Sequence, residues 1–405
     1  MMKILWVKAN KLLPVHSGGD IRSYNIARHM ARQHSLTFLS YYDGERDPDY
    51  ERELAGKFTG AVSISTGKEQ PSAVARVLDY VRHLPSSRPY AVERFASPEV
   101  RSRLSEWFAQ RAFDVAICDF LDAAVNFPGD LPIPTVLFQH NVESEIWRRH
   151  AETEANPVKR RAYAIEFRKM LRYESSMVRK FHHVIAVSEH DRSLMEEWVE
   201  GARITVVPTG VDLEQYRPDF SRKPAARVVM FVGAMDWEPN VDAMEYFCRE
   251  IWPSVVANAP GAVLRIVGRN PGERVRRLAS ASVQVTGRVP SVLEHLREAS
   301  LVVVPLRIGG GTRLKILESL ALGTPVVSTS KGAEGLDAND GEHILIADRP
   351  EVFAKSVLNL LQTPELHDRL AGQGKAIIQE KYDTSVIGKK LDSLLERVAV
   401  HAGCM

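Results

Sequence analysis

The chain has 405 residues, of which 44% are hydrophobic and 26% are charged, as in folded proteins and unlike disordered or collagen-like ones. Its 53 basic and 51 acidic side chains leave a formal charge of +2, which argues against a dedicated nucleic-acid binder. Three separated cysteines, Cys118, Cys248 and Cys404, predict no disulfide framework. No apolar run approaches the roughly 18 residues that span a bilayer, and Ile4–Val7 is too short for a signal-peptide core. We therefore expect a cytoplasmic protein of about two domains.

The first half of the chain predicts repeated strand–helix–strand units. An apolar strand near the start is followed by a loop with Gly18 and Gly19, by a helical pattern from Ile21 and by a strand over 36–42. Further short apolar runs bounded by turn residues indicate central parallel strands. They lie over 114–118, 135–138 and 183–187. This pattern predicts a Rossmann-like N-terminal domain over residues 1–212.

The second half repeats this organisation. A polar, proline-bearing stretch over 213–226 is interpreted as a linker, and a second Rossmann-like domain is predicted over 227–384. Its strands are expected over 228–232, 263–267, 283–286, 301–304 and 325–328. A last helix, over 385–405, could pack onto either half and cross back to the N-terminal domain. Because ligands of open parallel sheets bind beyond the carboxyl ends of the strands, candidate site residues are sought in the loops that follow them.

The segment 305–318 is the richest in candidate ligand contacts. Glycines permit a close approach of the backbone, and Thr312 is predicted as the N-cap of a helix whose free N–H groups attract anions. Arg313 and Lys315 are expected in the first turn, where cations are mildly unfavourable for the helix dipole, so they indicate an anionic ligand. Glu318 shares a face with Lys315 and could bind hydroxyls. The alternative is a flexible loop beside an ordinary Lys315–Glu318 ion pair.

Two other loops could contact a ligand. Gly18 and Gly19 could offer amides to phosphate, although they do not form the G-x-G-x-x-G motif. His140 follows the 135–138 strand and could contact a substrate hydroxyl or a leaving phosphate, or could be a structural hydrogen-bonding group. Asp47-Pro48-Asp49 matches the DxD pattern of metal-dependent sugar transfer, but it lies in a hydrophilic stretch without companion ligands and is interpreted as surface sequence.

The segment 159–180 is strongly basic. It contains eight Lys and Arg residues against two Glu residues, a net charge of +6, with apolar residues interspersed. This composition could favour an anionic membrane surface, whereas the alternative is the solvated basic face of a helix. We hypothesise a peripheral membrane contact through 159–180, at the inner face of the membrane.

Taken together, these residues resemble family 4 of the retaining glycosyltransferases, which have the GT-B fold: α/β, with two Rossmann-like domains facing across a cleft. The similarity runs over nearly the whole chain, and it implies that the domain over 1–212 holds the acceptor and that the domain over 227–384 binds the nucleotide-sugar donor. It is carried by Gly18-Gly19, His140, Ala186-Val187-Ser188, Val207 to Asp212, Phe231-Val232-Gly233, Val267-Gly268, Thr286 to Val289, Lys315 to Gly323, Pro325 to Thr329 and Gly332 to Gly335.

The resemblance implies transfer of a hexose from a nucleotide-sugar, with retained configuration and without a metal or another cofactor. A UDP-sugar is favoured over a GDP-sugar, and the acceptor would be a glycan, a lipid-linked glycan or a small-molecule hydroxyl. The catalytic residues implied are His140, Arg313, Lys315 and Glu318, with Glu318 on the donor ribose. The donor contacts implied are Gly18, Gly19, Gly233, Thr286, Gly287, Arg288, Val289, Gly309, Gly310, Gly311 and Thr312.

Two positions depart from the family pattern. Many members have Glu where this chain has Gly310, and Arg where it has Ala234. We infer that Arg313 and Lys315 supply the missing positive charge to the diphosphate. Without a carboxylate nucleophile, we expect a front-face mechanism in which the leaving phosphate accepts the proton of the acceptor. The departures leave two alternatives open: a catalytically silent homologue that acts as a partner or sugar sensor, and a GT-B nucleotide-sugar epimerase.

Overall fold

The computed structural model describes residues 1–15, 17–68, 72–217, 227–308 and 313–402. The chain divides into two units, one comprising Met1–Pro208 together with the chain from Ile387, and the other comprising Thr209–Val386. The first unit thus ends at Pro208 rather than at the predicted residue 212. Residues 218–226 of the predicted linker lie outside the described residues.

The first unit is built on a parallel sheet of seven strands. They are β1 (Lys3–Ala9), β2 (Ser35–Tyr42), β3 (Gly60–Ser65), β4 (Val115–Asp119), β5 (Thr135–Phe138), β6 (His183–Ala186) and β7 (Ile204–Val206). Their spatial order is β3-β2-β1-β4-β5-β6-β7. The sheet carries a hydrophobic core on each face, since Ile4 and Trp6 of β1 pack in one cluster and Leu5 and Val7 in the other. Burial on both faces explains the continuous apolar runs of these strands.

Helices cover both faces of this sheet. They are α1 (Gly18–Gln33), α2 (Pro48–Lys57), α3 (Ala73–His83), α4 (Tyr90–Glu93), α5 (Pro98–Ala109), α6 (Glu143–Thr153), α7 (Pro157–Lys180) and α8 (Glu189–Glu196), with 3-10 turns at Leu121–Asn126 and Gly201–Arg203. Asp47 accepts hydrogen bonds from the amides of Asp49 and Tyr50 and so caps α2. The first aspartate of the Asp47-Pro48-Asp49 sequence therefore has a structural role.

The second unit contains a six-stranded parallel sheet. Its strands are β8 (Val228–Val232), β9 (Val263–Val267), β10 (Val283–Gly287), β11 (Leu301–Val304), β12 (Val326–Ser328) and β13 (Leu345–Ile346). Their order is β10-β9-β8-β11-β12-β13. The helices are α9 (Glu238–Tyr246), α10 (Trp252–Asn258), α11 (Glu273–Arg276), α12 (Val292–Glu298), α13 (Leu314–Ala321), α14 (Pro350–Gln362) and α15 (Pro364–Ile377), with π-helical turns at Phe247–Ile251 and Ile378–Tyr382. The predicted pair of Rossmann-like domains is confirmed.

The last helix, α16 (Thr384–Ala402), packs against the first unit. Ile387, Leu391 and Leu394 join the hydrophobic cluster that contains Trp6. Asp392 pairs with two histidines of the first unit. The sequence left this packing open, and the structure resolves it. Among the described residues, no helix is both long and apolar enough to cross a membrane.

Candidate functional site

In the second unit, the predicted donor residues follow strands of one parallel sheet. Gly233 comes directly after β8, and Gly287 ends β10. Helix α13 follows β11, separated from it by residues that include Gly309, Gly310, Gly311 and Thr312. These four lie outside the described residues, so their roles remain predictions. Since the strands are parallel, the described candidates share the carboxyl edge of the sheet, where ligands of such sheets bind.

Lys315 is held at this edge by a residue of β8 and a residue of α9. Its Nζ donates to Asn240 Oδ1 at 2.9 Å and lies 4.3 Å from the centre of the Phe231 ring. The amide nitrogen of Asn240 donates to the carbonyl of Ala234 at 2.9 Å. Burial, followed by repulsion from Arg313, lowers the pKa of Lys315 to about 7. The ammonium is therefore poorly compensated in the free protein and would gain from an anionic ligand.

Gly233 leaves the space that this arrangement needs. A Cβ atom at Gly233 would stand 2.7 Å from Asn240 Nδ2 and 3.1 Å from Lys315 Nζ. Gly268, after β9, is constrained in the same way, because its Cβ would stand 1.7 Å from the carbonyl oxygen of Gly233. These two glycines of the family pattern thus allow backbone and lysine to meet at the ends of β8 and β9.

Glu318 lies one turn further along α13. Its Oε1 accepts a hydrogen bond from the Tyr216 hydroxyl at 2.7 Å. Burial raises the pKa of Glu318 to about 7, against the opposing effects of Tyr216 and Lys315. Asp212 forms the turn that carries Tyr216, since Asp212 Oδ1 accepts from the amide of Glu214 and the Asp212 carbonyl accepts from the amide of Tyr216. Lys315 and Glu318 are each bonded to a residue outside the helix.

Arg313 is bound to the segment after β12. The helix begins at Leu314, so Arg313 is its N-cap residue and precedes the first turn in which it was predicted. Its side chain is 6% exposed, with Nη2 donating to the Lys331 carbonyl at 2.8 Å and lying 3.5 Å from Glu334. The guanidinium thus ties the start of α13 to residues 331–334.

Thr286 and Gly287 form an irregular end to β10. The register against β9 shifts between Val285 and Gly287, and Gly287 has a φ of 71°. The hydroxyl of Thr286 donates to the Gly287 carbonyl at 3.0 Å. Arg288 is exposed just beyond, and Val289 is half-buried. This turn lies at the same sheet edge as Lys315, with β9 between β10 and β8.

In the first unit, His140 pairs with a buried acid. His140 Nε2 lies 2.8 Å from Oδ1 of Asp119, the last residue of β4, and both side chains are buried. Burial raises the pKa of Asp119, but Lys8, His140 and Trp6 outweigh it and bring the pKa to about 2. Burial lowers the pKa of His140 to about 3, so the ring is neutral. With Asp119 ionised, the proton belongs on Nε2, and Nδ1 is a buried acceptor that has no hydrogen-bond partner among the residues that the structure describes.

The Phe120 ring packs between Gly19 of the predicted glycine loop and His140. Its ring stacks on His140, with centroids 3.6 Å apart, and Lys8 Nζ lies 4.5 Å from the Phe120 ring centre. A Cβ atom at Gly19 would stand 2.4 Å from Phe120 Cζ, so this ring position requires glycine there. Gly18 and Gly19 are the first two residues of α1, where backbone N–H groups have no intrahelical acceptor.

The sequence did not single out Asp119, Phe120 or Lys8 in the first unit, or Asn240 and Tyr216 in the second. Asp119 and Phe120 follow an apolar run that was predicted to end at residue 118. The available signal for Asp119 was a polar residue directly after a predicted strand. Asn240 and Tyr216 give no local signal, because each is recognised only through its contact with α13.

Comparisons with known proteins identify the family and the fold of this chain. The family described as Glycosyltransferase Family 4 matches residues 16–215, and the family described as Glycosyl transferases group 1 matches residues 226–363. The phosphatidyl-myo-inositol mannosyltransferase of Mycobacterium tuberculosis is 27% identical over 231 residues, which cover 53% of this chain and 59% of that protein. The chain spans about half the length of the relatives that it matches.

Solved structures share the fold over nearly the whole chain. Sucrose-phosphate synthase from Thermosynechococcus elongatus gives a TM-score of 0.71 at 15% identity, covering 99% of this chain and 100% of that one. HepE from Anabaena, solved in complex with UDP, gives 0.67 at 16% identity, covering 98% and 100%.

Proposed function

The chain belongs to the family 4 glycosyltransferases, and from this premise we propose that it transfers a hexose from a nucleoside-diphosphate sugar to an acceptor hydroxyl. The reaction proposed is retaining and needs no metal. The observation that carries the proposal is the half-buried Lys315 side chain, whose ammonium is held against Asn240 and Phe231 at the carboxyl edge of the second sheet. Among the described residues no carboxylate forms an ion pair with this cation, and removing a cation from water is costly unless a ligand supplies the counter-charge.

The leaving group of this reaction is a nucleoside diphosphate, so the site must stabilise developing negative charge. In the proposal Lys315 does this, and it becomes fully protonated when the diphosphate binds. A preorganised cation in a buried site stabilises such a charge more than it would in water. A phosphate oxygen of the leaving group takes the proton of the acceptor, so that no protein base is assigned.

Glu318 is assigned to the donor ribose. A carboxylate that already accepts one hydrogen bond, from Tyr216, can accept others from ribose hydroxyls. Ionisation near neutral pH suits this role, because binding hydroxyl donors would lower the raised pKa of Glu318.

Arg313 is assigned a positioning role in this proposal. Its bond to the Lys331 carbonyl and its ion pair with Glu334 fix the start of α13 relative to the segment after β12. It would thereby position Lys315 and Glu318 and would add positive potential near Lys315 without touching phosphate itself.

His140 is assigned to a sugar hydroxyl rather than to the leaving phosphate. A neutral ring whose Nε2 proton is directed at Asp119 offers only the Nδ1 lone pair, which accepts from a hydroxyl and cannot donate to phosphate.

A UDP-sugar and a polyol or lipid-linked acceptor are the substrates we propose. Two likenesses support this choice: HepE was solved with UDP, and the mycobacterial relative is named a phosphatidyl-myo-inositol mannosyltransferase. The test is incubation of the protein and EDTA with UDP-hexoses and candidate acceptors, with NMR of the new anomeric proton. An α-linked product from an α-configured donor supports the proposal. An isomerised sugar without acceptor would indicate the epimerase, and UDP binding with neither transfer nor hydrolysis would indicate the silent homologue.

A further inference from the structure

Helix α3 presents its apolar side to solvent and its polar side to the protein. Val77 is 62% exposed, Leu78 54% and Val81 54%, and Leu84 is also exposed. At about 100° per residue these four side chains fall within an arc of about 120° on one side of the helix. The polarity of α3 is thus opposite to that of an ordinary surface helix, whose apolar stripe faces the core.

The opposite side of α3 is fixed to the protein by polar and aromatic contacts. The Tyr80 hydroxyl donates to the Ala162 carbonyl of α7 at 3.4 Å, and the rings of Tyr80 and Tyr90 meet edge to face at 5.7 Å. Lys169 of α7 donates to the His83 and Leu84 carbonyls, each at 3.1 Å. The orientation of α3 is therefore set by its partners, and the apolar stripe is held outward.

Exposed cations lie on the same helix as the stripe and at the start of α7. Arg76 and Arg82 lie on α3 itself, and Lys159, Arg160 and Arg161 lie in the first turns of α7, just before the Ala162 carbonyl that binds Tyr80. The basic segment 159–180 thus divides into two parts. Lys169 is buried and Lys180 is half-buried, and both bind backbone carbonyls of the first unit, whereas the exposed cations at the start of α7 add to those of α3.

We propose that this surface, comprising the stripe of α3 and these five exposed cations, docks the protein onto an anionic lipid bilayer. Apolar side chains that enter the headgroup region, flanked by Lys and Arg, are the composition of interfacial helices. A second copy of the chain fits the surface less well, because a two-fold interface would bring the same cations against each other. The inference is independent of the proposed function, since it concerns α3 and α7 and no donor contact.

Vesicle co-sedimentation tests this inference without any sugar donor. The full chain should bind vesicles of phosphatidylcholine with about one third phosphatidylglycerol at low salt, and it should bind pure phosphatidylcholine vesicles much more weakly. Leu78→Gln with Val81→Gln should weaken binding to anionic vesicles about tenfold or more. The control pair Val386→Gln with Val400→Gln, exposed on α16, should bind like wild type.

A second double variant, with a matched control, tests the contribution of the cations to vesicle binding. Arg160→Gln with Arg161→Gln should weaken binding about 25-fold, from about fivefold per cation near an anionic surface, and should reduce the dependence on salt. Lys389→Gln with Lys390→Gln, exposed on α16, should change it little. All substituted residues are exposed, and circular dichroism should give unchanged melting temperatures.

Three results would overturn the inference. One is that the wild-type protein does not bind anionic vesicles at low salt. Another is an equal loss of vesicle binding in the double variant of α3 and in the control double variant of α16. The third is a dimer, seen by analytical ultracentrifugation, that the Leu78→Gln and Val81→Gln changes dissolve, since a second copy would then cover the stripe. None of these results bears on UDP binding, so failure here leaves the proposed function standing.

Discussion

Replacing Lys315 by methionine should make the protein more stable and its nucleotide binding weaker. The Lys315 side chain is half-buried; among the described residues its ammonium contacts the neutral acceptor Asn240 Oδ1 and the face of the Phe231 ring, and its pKa falls from 10.5 to about 7. Each pKa unit corresponds to about 1.4 kcal/mol. After a discount for the partial exposure of this side chain and for the lost hydrogen bond, we expect Lys315→Met to raise the free energy of unfolding at pH 7 by about 1–2 kcal/mol.

The pH dependence of the unfolding free energy tests independently whether the Lys315 charge destabilises the folded protein. The unfolded chain keeps the Lys315 proton up to about pH 10.4, whereas the folded protein releases it near pH 7. Between these values the unfolded state binds more protons, so wild-type stability should rise with pH relative to Lys315→Met. Urea denaturation at pH 7 and pH 9 measures this difference.

Nucleotide affinity should change in the opposite direction. Loss of a charged hydrogen bond to phosphate, worth about 1.5–3 kcal/mol, predicts UDP binding about 10- to 100-fold weaker by calorimetry at pH 7. Lys355→Met makes the same substitution on the exposed side of α14 and should alter neither quantity. A Lys315→Met protein that is less stable than wild type and binds UDP equally well would refute the reasoning.

Three further changes probe the two units. Gly19→Ala should lower the free energy of unfolding by about 2 kcal/mol, because the new methyl would stand 2.4 Å from a Phe120 ring that is already stacked on His140. The control Gly56→Ala, which has open space around it in α2, should not lower it. Equal urea midpoints for the two variants would contradict this packing. The free energy of unfolding of the wild type should fall as pH rises from about 4.5 towards 7, because the folded pKa of Glu318 is about 7 and the unfolded pKa is lower. Glu318→Gln should remove this fall. Identical pH profiles of the unfolding free energy for the two proteins would argue against a protonated Glu318 in the folded state. Asp119→Asn should lower the free energy of unfolding by about 3 kcal/mol, because the buried Lys8 would lose the carboxylate of Asp119 and would keep its ion pair with Asp20 and its contact with the Phe120 ring. A loss under about 1 kcal/mol in thermal unfolding would show that the Lys8–Asp119 pair matters little.

The strands were predictable from sequence because they are short, buried on both faces and bounded by turn residues. The predicted strand over 301–304 coincides with β11, for example. The packing of α16 was not predictable, because its apolar positions fit either unit equally well by pattern. Its partners, Trp6 and the two histidines that meet Asp392, lie more than 350 residues away along the chain.

The contacts of the candidate site were harder to predict than its residues. Lys315 and Glu318 were identified from spacing, but their partners Asn240 and Tyr216 are separated from them by 75 and 102 residues. Arg313 was interpreted as a phosphate contact from its place near a helix start. Its bonds to residues 331–334 depend on how α13 and β12 pack, which no local pattern encodes.

The most direct test of the central claim is calorimetric titration with UDP in the presence of EDTA, with GDP and ADP for comparison. The account predicts that UDP binds without metal, that GDP and ADP bind more weakly, and that Lys315→Met abolishes most of the affinity. Binding of none of the three nucleotides, or UDP binding only after a divalent cation is added, would contradict it.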